Sequence, residues 1–276
     1  MKTIKLTLLA LSIVLGFSAC SSDDDNNNNN NNTDGSTVIF PLNSNNYWKY
    51  DVVATNTQFT DDFNGTDSLY VNNANGNNYS LNANDNGIAN GIMSSILTSG
   101  ELTASEQDLT INGTLQLPLA GFVDFTIPLD NVKLYDIQAN NNSTLSSVTD
   151  SFEQEIQGFP MTFDYTAEII QVATYESMQL NGENYNNVTE TRLTLDVEVS
   201  TVLVGQQLNM LNNQEVMAVT AYYANEIGLV RAEADINYEM SQNFISAVEL
   251  LGGELPIPTS SSGTNVQELT EYFVEE

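Results

Sequence analysis

Apolar and polar residues alternate along most of the chain beyond residue 38, which is the pattern of β-strands with one buried face. The clearest case is the segment 192–203, in which Asp196 and Glu198 would lie on the polar face. The apolar face of this segment would carry Leu193, Leu195, Val197 and Val199. Residues 161–171 and 230–240 alternate in the same way. These segments predict antiparallel strands with one face in a core and the other in water.

Shorter runs with the same pattern predict further strands. They are residues 47–53, 67–72, 79–82, 107–117, 132–138, 151–157, 175–180, 216–224 and 266–274. Asn-Gly pairs readily adopt the positive φ angles of tight hairpins, and such pairs lie between the strand-like runs. The pairs are Asn181-Gly182, Asn86-Gly87 and Asn112-Gly113. Helical periodicity is weak, and residues 92–97 and 244–251 are its two short candidates.

The pattern as a whole predicts one all-β domain over residues 38–276. We expect a single large antiparallel curved sheet or open half-barrel, with a β-sandwich as the alternative. A division of this domain near residues 140–142 stays open. Pro256, Pro258 and the serines at 260–262 predict a loop before the last strand.

The first residues have the layout of a bacterial secretory signal. Lys2 and Lys5 precede the apolar residues 6–17, and small residues then lead to Cys20. The apolar run is shorter than the ~20 residues that a membrane-spanning helix needs. The sequence Phe-Ser-Ala-Cys that ends at Cys20 resembles the lipobox of bacterial lipoproteins, although Phe17 stands where that family usually has Leu. The resemblance implies cleavage before Cys20 and its acylation; the alternative is an ordinary secreted protein with a chance cysteine.

A polar segment follows the predicted lipidation site. It begins with Ser21, Ser22, Asp23, Asp24 and Asp25. Seven asparagines come next, so we predict a disordered linker over residues 20–37. The acidic run resembles the export signal that sends Bacteroidetes lipoproteins, especially flavobacterial ones, to the outer face of the outer membrane. The alternative is that these residues solubilise a tether on the periplasmic face.

Composition and charge exclude several classes of function. The 276 residues include 36 Asp or Glu, 6 Lys or Arg, 1 Cys and no His, for a formal net charge of −30. Ser-His-Asp triads and His metal sites are therefore impossible, and the one Cys would be consumed by lipidation. Clustered cations for nucleic acid are also lacking. We expect no cofactor, no nucleic-acid partner and no enzymatic activity.

Four short motifs carry a family resemblance. They are Phe40-Pro41-Leu42, Asn46-Tyr47-Trp48-Lys49-Tyr50, Tyr222-Tyr223-Ala224 and Ile227-Gly228-Leu229-Val230. The motifs resemble those of Bacteroidetes lipoproteins that begin with an FPL…NYWxY strand and carry a late YYA…IGLV hairpin. The resemblance implies a curved antiparallel sheet, similar to the half-barrel of lipoprotein carriers such as LolA. It supplies no catalytic residues.

Two candidate modification or metal sites lie near residue 65. The oxygen-bearing side chains around Gly65 form a calcium candidate. Its members are Asp61, Asp62, Asn64 and Asp67. A solvated turn uses the same residue types, and we favour that interpretation over calcium. Ser68 lies in an Asp-Ser-Leu sequence that resembles the O-glycosylation acceptor of exported Bacteroidetes proteins.

The remaining candidate chemistry is carboxylate chemistry. Glycoside hydrolysis needs two carboxylates a few ångströms apart, and several acidic residues in predicted strands and loops could supply a pair. They are Asp124, Asp130, Glu153, Glu155, Asp196 and Glu198. Three functions thus remain: a surface lipoprotein with a binding or structural role, a carrier of an apolar ligand, and a glycan hydrolase. We favour the first, with the membrane contacted through the lipid anchor.

Overall fold

A computed structural model describes residues 39–56, 62–116, 126–156, 159–203, 205–255 and 257–275. The predicted signal, lipidation and export residues, including Cys20 and residues 21–25, lie outside this part of the chain.

The described residues form twelve strands and two helices. The elements in chain order are β1 (Tyr47–Asn56), β2 (Phe63–Asn75), β3 (Asn78–Ala83), α1 (Ile92–Thr98), β4 (Glu101–Ala104), β5 (Asp108–Gln116), β6 (Thr126–Asp136), β7 (Ser143–Ile156), β8 (Phe159–Leu180), β9 (Glu183–Leu203), β10 (Gln206–Ala224), β11 (Gly228–Glu239), α2 (Gln242–Leu250) and β12 (Ser260–Phe273).

The twelve strands belong to one antiparallel sheet, in the order β6-β5-β4-β3-β2-β1-β12-β11-β10-β9-β8-β7. The pairing of β1 with β12 joins the two ends of the described chain, and the sheet curves until it is nearly closed into a barrel. The predicted all-β fold with one curved antiparallel sheet is therefore confirmed, and the described residues do not form the two sheets of a sandwich. Strands on both sides of residues 140–142 belong to this sheet.

The open seam of the sheet lies between β6 and β7, which follow each other in the chain. Side chains bridge part of it, because the Lys133 backbone N–H donates to Ser146 Oγ at 2.8 Å. The Asp136 backbone N–H donates to Gln171 Oε1 of β8 at 3.1 Å. These bonds satisfy edge amides that would otherwise lack a strand partner.

The interior of the sheet is packed with apolar side chains from all twelve strands. The alternation predicted for residues 192–203 is confirmed, since its four apolar residues are buried and Asp196 and Glu198 are only half-buried on the other face. The largest fully buried side chains are Trp48, Tyr50, Tyr135, Tyr223 and Phe40. The concave side of the sheet is thus filled rather than open.

One of the three predicted Asn-Gly turns is confirmed and two are wrong. Asn181 and Gly182 have φ angles of 50° and 86° and connect β8 to β9. Asn86-Gly87 leads into α1 instead of closing a hairpin. Asn112-Gly113 lies inside β5, where a Cβ on Gly113 would be 2.4 Å from Ser99 Oγ. There glycine permits a close approach of the chain and does not make a turn.

Both short helical candidates form helices, each held by a side chain at its start. Gln267 Oε1 of β12 accepts from the Met93 backbone N–H of α1 at 2.8 Å. Ser241 Oγ accepts from the Phe244 backbone N–H of α2 at 3.2 Å. Such short helices depend on tertiary contacts for their stability. Within the described part of the chain, neither helix has the length and apolar character to cross a membrane.

Candidate functional site

Loops at one end of the sheet surround a cleft of about 1170 Å³, which we call the end cleft. In an up-and-down sheet every second connection lies at the same end, so the β2–β3, β4–β5, β8–β9 and β10–β11 connections meet there. The start and the end of the described chain complete the wall. The lining residues include Phe40, Pro41, Leu42, Asn43, Asn77, Tyr79, Glu106, Asn184, Tyr185, Asn186, Asn187, Asn225, Glu226, Ile227, Tyr272, Val274 and Glu275.

The polar lining of the end cleft consists mostly of amides, tyrosines and carboxylates. It has six asparagines, three tyrosines and three glutamates, and neither Lys nor Arg is among its described residues. The cations elsewhere in the described chain are Lys49, Lys133, Arg192 and Arg231. Each of these four forms an ion pair with an acidic residue outside the cleft. The cleft is therefore an uncompensated acidic site rich in hydrogen-bonding groups.

The floor of the end cleft is built from the short motifs of the sequence. The Phe40 ring packs edge-on against Trp48, with centroids 5.0 Å apart, and Trp48 Nε1 donates to the Ile227 carbonyl at 2.6 Å. Gly228 has a φ of 100°, and a Cβ there would be 3.0 Å from the Phe40 ring. Glycine is thus required both by its backbone angle and by the ring beside it. The three motifs that contain these residues meet at this floor.

One rim of the cleft is formed by the end of the described chain. The Glu275 backbone N–H donates to Asn46 Oδ1 at 2.9 Å. Asn45 Nδ2 donates to Glu275 Oε1 at 2.9 Å, and Asn43 Nδ2 donates to the Glu275 carbonyl at 3.2 Å. These bonds attach the chain end to the segment before β1 and fix the position of this rim.

Another wall of the cleft is the projecting hairpin between β8 and β9. The Tyr175 hydroxyl donates to Glu190 Oε2 at 2.6 Å, and this bond together with burial raises the pKa of Tyr175 to about 12. Ser177 Oγ lies 3.1 Å from Asn184 Oδ1 across the same hairpin. Cross-strand bonds of this kind hold a two-stranded ribbon that extends past its neighbours.

Several polar side chains of the cleft are available to a ligand. Within the described residues, no protein partner hydrogen-bonds to the side chains of Tyr272, Tyr185, Asn77, Asn187 or Asn225. Tyr272 is 44% exposed, whereas Tyr185 is 9% exposed. Burial, and then the nearby charge of Glu183, raises the pKa of Tyr185, so this hydroxyl stays protonated and able to donate.

Two non-glycine residues of the lining have left-handed backbones. Asn187 has a φ of 49° and Glu226 a φ of 62°. Asn tolerates this conformation, but for Glu it is disfavoured by about 1 kcal/mol. Strained backbones of this kind are concentrated at functional sites, which is consistent with a binding role for the loops that carry them.

The acidic residues considered for hydrolysis do not face the end cleft. Asp130, Glu153 and Glu155 are exposed on β6 and β7, and Asp196 lies on the outer face of β9. Glu198 is the cross-strand partner of Asp164, and both line a separate groove of about 440 Å³. Asp124 lies outside the described residues. In the described part of the chain, no group of three or more His, Cys, Asp or Glu side chains could hold a metal ion.

The structure assigns Asp67 a role different from calcium binding. Its carboxylate is fully buried and accepts from Asn84 Nδ2 at 2.9 Å and from the Gly91 backbone N–H at 2.8 Å. It thereby holds the loop that leads into α1. Asn64 is exposed and, three residues away on the same strand, points to the opposite face.

The other members of the calcium candidate also lie apart from this carboxylate. Asp62 is exposed before β2, and Asp61 lies outside the described residues. The described members are therefore not brought together around one point. The glycosylation candidate Ser68 is half-buried, and its backbone N–H donates to Asn84 Oδ1 at 2.9 Å.

The end cleft could not be predicted from the sequence, because its residues come from parts of the chain that are far apart in sequence. The only signal was that asparagine recurs at Asn77 and Asn225 in two connections and at Asn184 directly after a third, and these connections lie at one end of the sheet. Comparisons of the chain with models of known families, with curated proteins and with solved structures find no match. The resemblance to Bacteroidetes lipoproteins therefore stays a prediction.

Proposed function

We propose that the protein is a lipid-anchored binding protein without enzymatic activity, displayed on the cell surface, that takes its ligand in the end cleft. The observation that carries the binding role is the cleft itself. Ligand sites are concave, few per protein and often found in the mouths of barrel-like sheets. The end cleft combines a packed floor with polar side chains that have no hydrogen-bond partner among the described residues.

The filled interior favours this role over that of a carrier for an apolar ligand. A carrier needs an open apolar concavity, but the inner face of the sheet is covered with buried side chains of its own. A hydrolase would need two carboxylates facing the substrate a few ångströms apart. The candidates from the sequence that the structure describes lie on the outer face, and none of them is in the lining of the end cleft.

The proposed anchor is the acylated Cys20, with Asp23, Asp24 and Asp25 as the export signal. Two or three acyl chains hold a protein at a membrane almost permanently. The predicted linker residues 21–37 would reach at most ~58 Å when fully extended. Such a tether allows the end cleft to meet ligands away from the membrane surface.

The test is calorimetry with the purified full chain in detergent. The probes are a neutral oligosaccharide mixture, oligolysine, oligoglutamate and a medium-chain fatty acid. We expect one polar probe to bind saturably, with binding lost in Asn77→Trp, which fills the cleft from an exposed turn. Asn212→Trp is the control, since Asn212 is exposed outside the cleft.

Three other results would contradict the proposal. Binding of the fatty acid that Asn77→Trp leaves intact would indicate a carrier. Release of reducing ends from the oligosaccharides, measured with the same samples, would indicate a hydrolase. Failure of all four probes to bind would remove the support for a binding role.

A further inference from the structure

We infer that the end cleft binds a neutral oligosaccharide, an inference that rests on the proposed function of this cleft. Four features of the described lining support it: its charge, its amides, its tyrosines and its size. Each feature excludes or favours one class of ligand.

The charge of the lining excludes anionic ligands. Phosphates and carboxylates are bound by Lys, Arg or clustered backbone N–H groups. The lining instead carries Glu106, Glu226 and Glu275, with neither Lys nor Arg among its described residues. The formal net charge of the whole chain, −30, adds long-range repulsion of anions. The ligand is therefore neutral or cationic.

The amides favour a neutral ligand with hydroxyl groups over a cationic one. An Asn side chain offers two donor hydrogens and an acceptor oxygen, and a sugar hydroxyl also donates and accepts. An ammonium or guanidinium group only donates, so it would leave the amide N–H groups without a partner. Asn77, Asn187 and Asn225 have no protein partner for their side chains among the described residues. Unused donors in a binding site reduce affinity.

The tyrosines supply the apolar surface that a sugar ring needs. A sugar has an apolar C–H face and a hydroxyl rim, which matches a Tyr side chain with its apolar ring and polar tip. Tyr272 pairs with Trp48 across β12 and β1, so its ring lies on the inner side of the sheet end. Tyr79 and Tyr185 line the same cleft from the first residues of β3 and β9. An acyl chain would leave the polar groups between these rings without hydrogen-bond partners, so the lining does not favour a lipid.

The size of the cleft indicates an oligosaccharide rather than a single sugar. Its volume of about 1170 Å³ lies just above the ~300–1,000 Å³ of pockets for drug-sized ligands. The walls come from separate connections around the end of the sheet, so a chain of several sugar rings can lie across it. Contacts would then be shared between the hairpin wall and the rim at Tyr272.

The experiment titrates the full chain in detergent with neutral hexasaccharides from glucan, mannan and galactan, by calorimetry at low and high salt. We expect at least one to bind with an affinity that salt does not change, because no charge pairs form. Tyr272→Ala and, separately, Asn187→Asp should each weaken binding about tenfold. Phe273→Ala and Asn131→Asp should not.

The two control variants are closely matched to the test variants. Phe273 is the next residue along β12, is 46% exposed, and lies outside the lining. Asn131 has a φ of 52°, against 49° for Asn187, and is an exposed residue of β6 outside the lining. Any difference between a variant and its control therefore comes from position in the cleft.

Three results would overturn the inference. Sugar binding that Tyr272→Ala leaves intact would place the sugar elsewhere. Equal binding of an acidic hexasaccharide would refute the charge argument. Salt-sensitive binding of oligolysine alone, lost in Glu226→Gln, would show a cationic ligand; the end cleft would then remain a binding site, although not for sugar. If no probe binds, the proposed function fails as well.

Discussion

Two buried tyrosines allow a sharp test of the interior packing, because the same substitution should have opposite effects. Tyr50 and Tyr135 are both fully buried. The Tyr50 hydroxyl donates to the Leu229 carbonyl at 2.9 Å, whereas the Tyr135 hydroxyl has no hydrogen-bond partner among the described residues. Burial raises the pKa of Tyr135, and the Phe40 backbone lowers it by a smaller amount without meeting the geometry of a hydrogen bond.

Replacing each tyrosine by phenylalanine removes one hydroxyl and preserves the ring. A buried polar group without a partner destabilises a protein by about 1–3 kcal/mol, so Tyr135→Phe should raise the free energy of unfolding by about 1 kcal/mol after the small void is allowed for. Tyr50→Phe removes a made bond from Leu229 and should lower the free energy of unfolding by about 1 kcal/mol. The two variants should thus differ by about 2 kcal/mol.

The assay is urea unfolding of the full chain, followed by the fluorescence of Trp48, the one tryptophan of the chain. It is fully buried, so its emission should shift when the core opens. The urea midpoint should move in opposite directions for the two variants at an unchanged slope. If Tyr135→Phe destabilised the protein as much as Tyr50→Phe, the Tyr135 hydroxyl would have a partner and the packing described here would be incomplete.

Alkaline pH gives a second readout of the same side chains. Burial raises the pKa values of Tyr50, Tyr135 and Tyr223 well above the usual value. The folded state favours the neutral forms of these three side chains. Their contribution to the free energy of unfolding is therefore complete below pH ~10 and declines above it, because the unfolded chain then loses these protons and the folded chain keeps them. The expected slope for the three is ~4 kcal/mol per pH unit, and Tyr135→Phe should reduce it by about a third. An unchanged slope would contradict the burial of Tyr135.

Three further outcomes are expected. Cys20→Ala should release the protein from membranes in detergent partitioning, and equal membrane recovery would contradict the lipid anchor. Changing residues 23–25 to Ala should protect the protein from protease added to intact cells, whereas protection of the wild type would place it on the periplasmic face. Lys133→Gln should lower the free energy of unfolding by about 1 kcal/mol or less at neutral pH, because it removes the ion pairs with Asp136 and Asp108. Burial opposes ionisation of Asp108, but hydrogen bonds from Ser105 and Lys133 outweigh it and lower its pKa. The stability from this pair is thus lost as the pH falls through that lowered pKa, and a difference that persisted in strong acid would contradict it.

Strands could be predicted where apolar and polar side chains alternate. They could not be predicted where the sequence lacks this alternation and the strand is recognisable only from its backbone pairing. The burial of the four apolar residues in segment 192–203 could be predicted from the sequence, because alternation with a period of two is visible without any knowledge of the tertiary structure. Residues 143–150 of β7 include only two apolar residues, Leu145 and Val148, and their odd spacing, next to a register shift after Thr144, does not give the alternation of a strand. Residues 260–262 were predicted as a loop, but they pair with β11 through the backbone.

Irregularities in the sheet explain the other differences. Residues 161–171 and 175–180 were predicted as two strands, yet they form the single strand β8. The pairing register of β8 shifts between Gln171 and Ala173. At this bulge the alternation of inward and outward side chains moves by one residue, so the apolar pattern is interrupted there. β4 has only 4 residues, too few for a pattern to be recognised. The alternation rule therefore fails at bulges and at very short strands.

Candidate sites were harder to predict, because adjacency along the chain is a poor guide to adjacency in space. Asp67 and Asn64 are close in sequence and yet point to opposite faces of β2. Asn187 and Tyr272 are far apart in sequence, and both line the end cleft. Only the order of the strands decides which turns share an end, and residue types do not reveal that order.

The floor and the rim of the end cleft should respond to substitution in different ways, because they are held by different interactions. Phe40, Trp48 and Gly228 are packed against one another, so a change there removes apolar contacts or introduces a clash. Such a change should reduce the amount of folded protein. Asn187 and Tyr272 are exposed and make no hydrogen bond to another described residue, so a change there should alter ligand affinity at nearly constant stability. Measuring unfolding and binding on the same variants therefore separates the scaffold of this cleft from the groups that recognise its ligand.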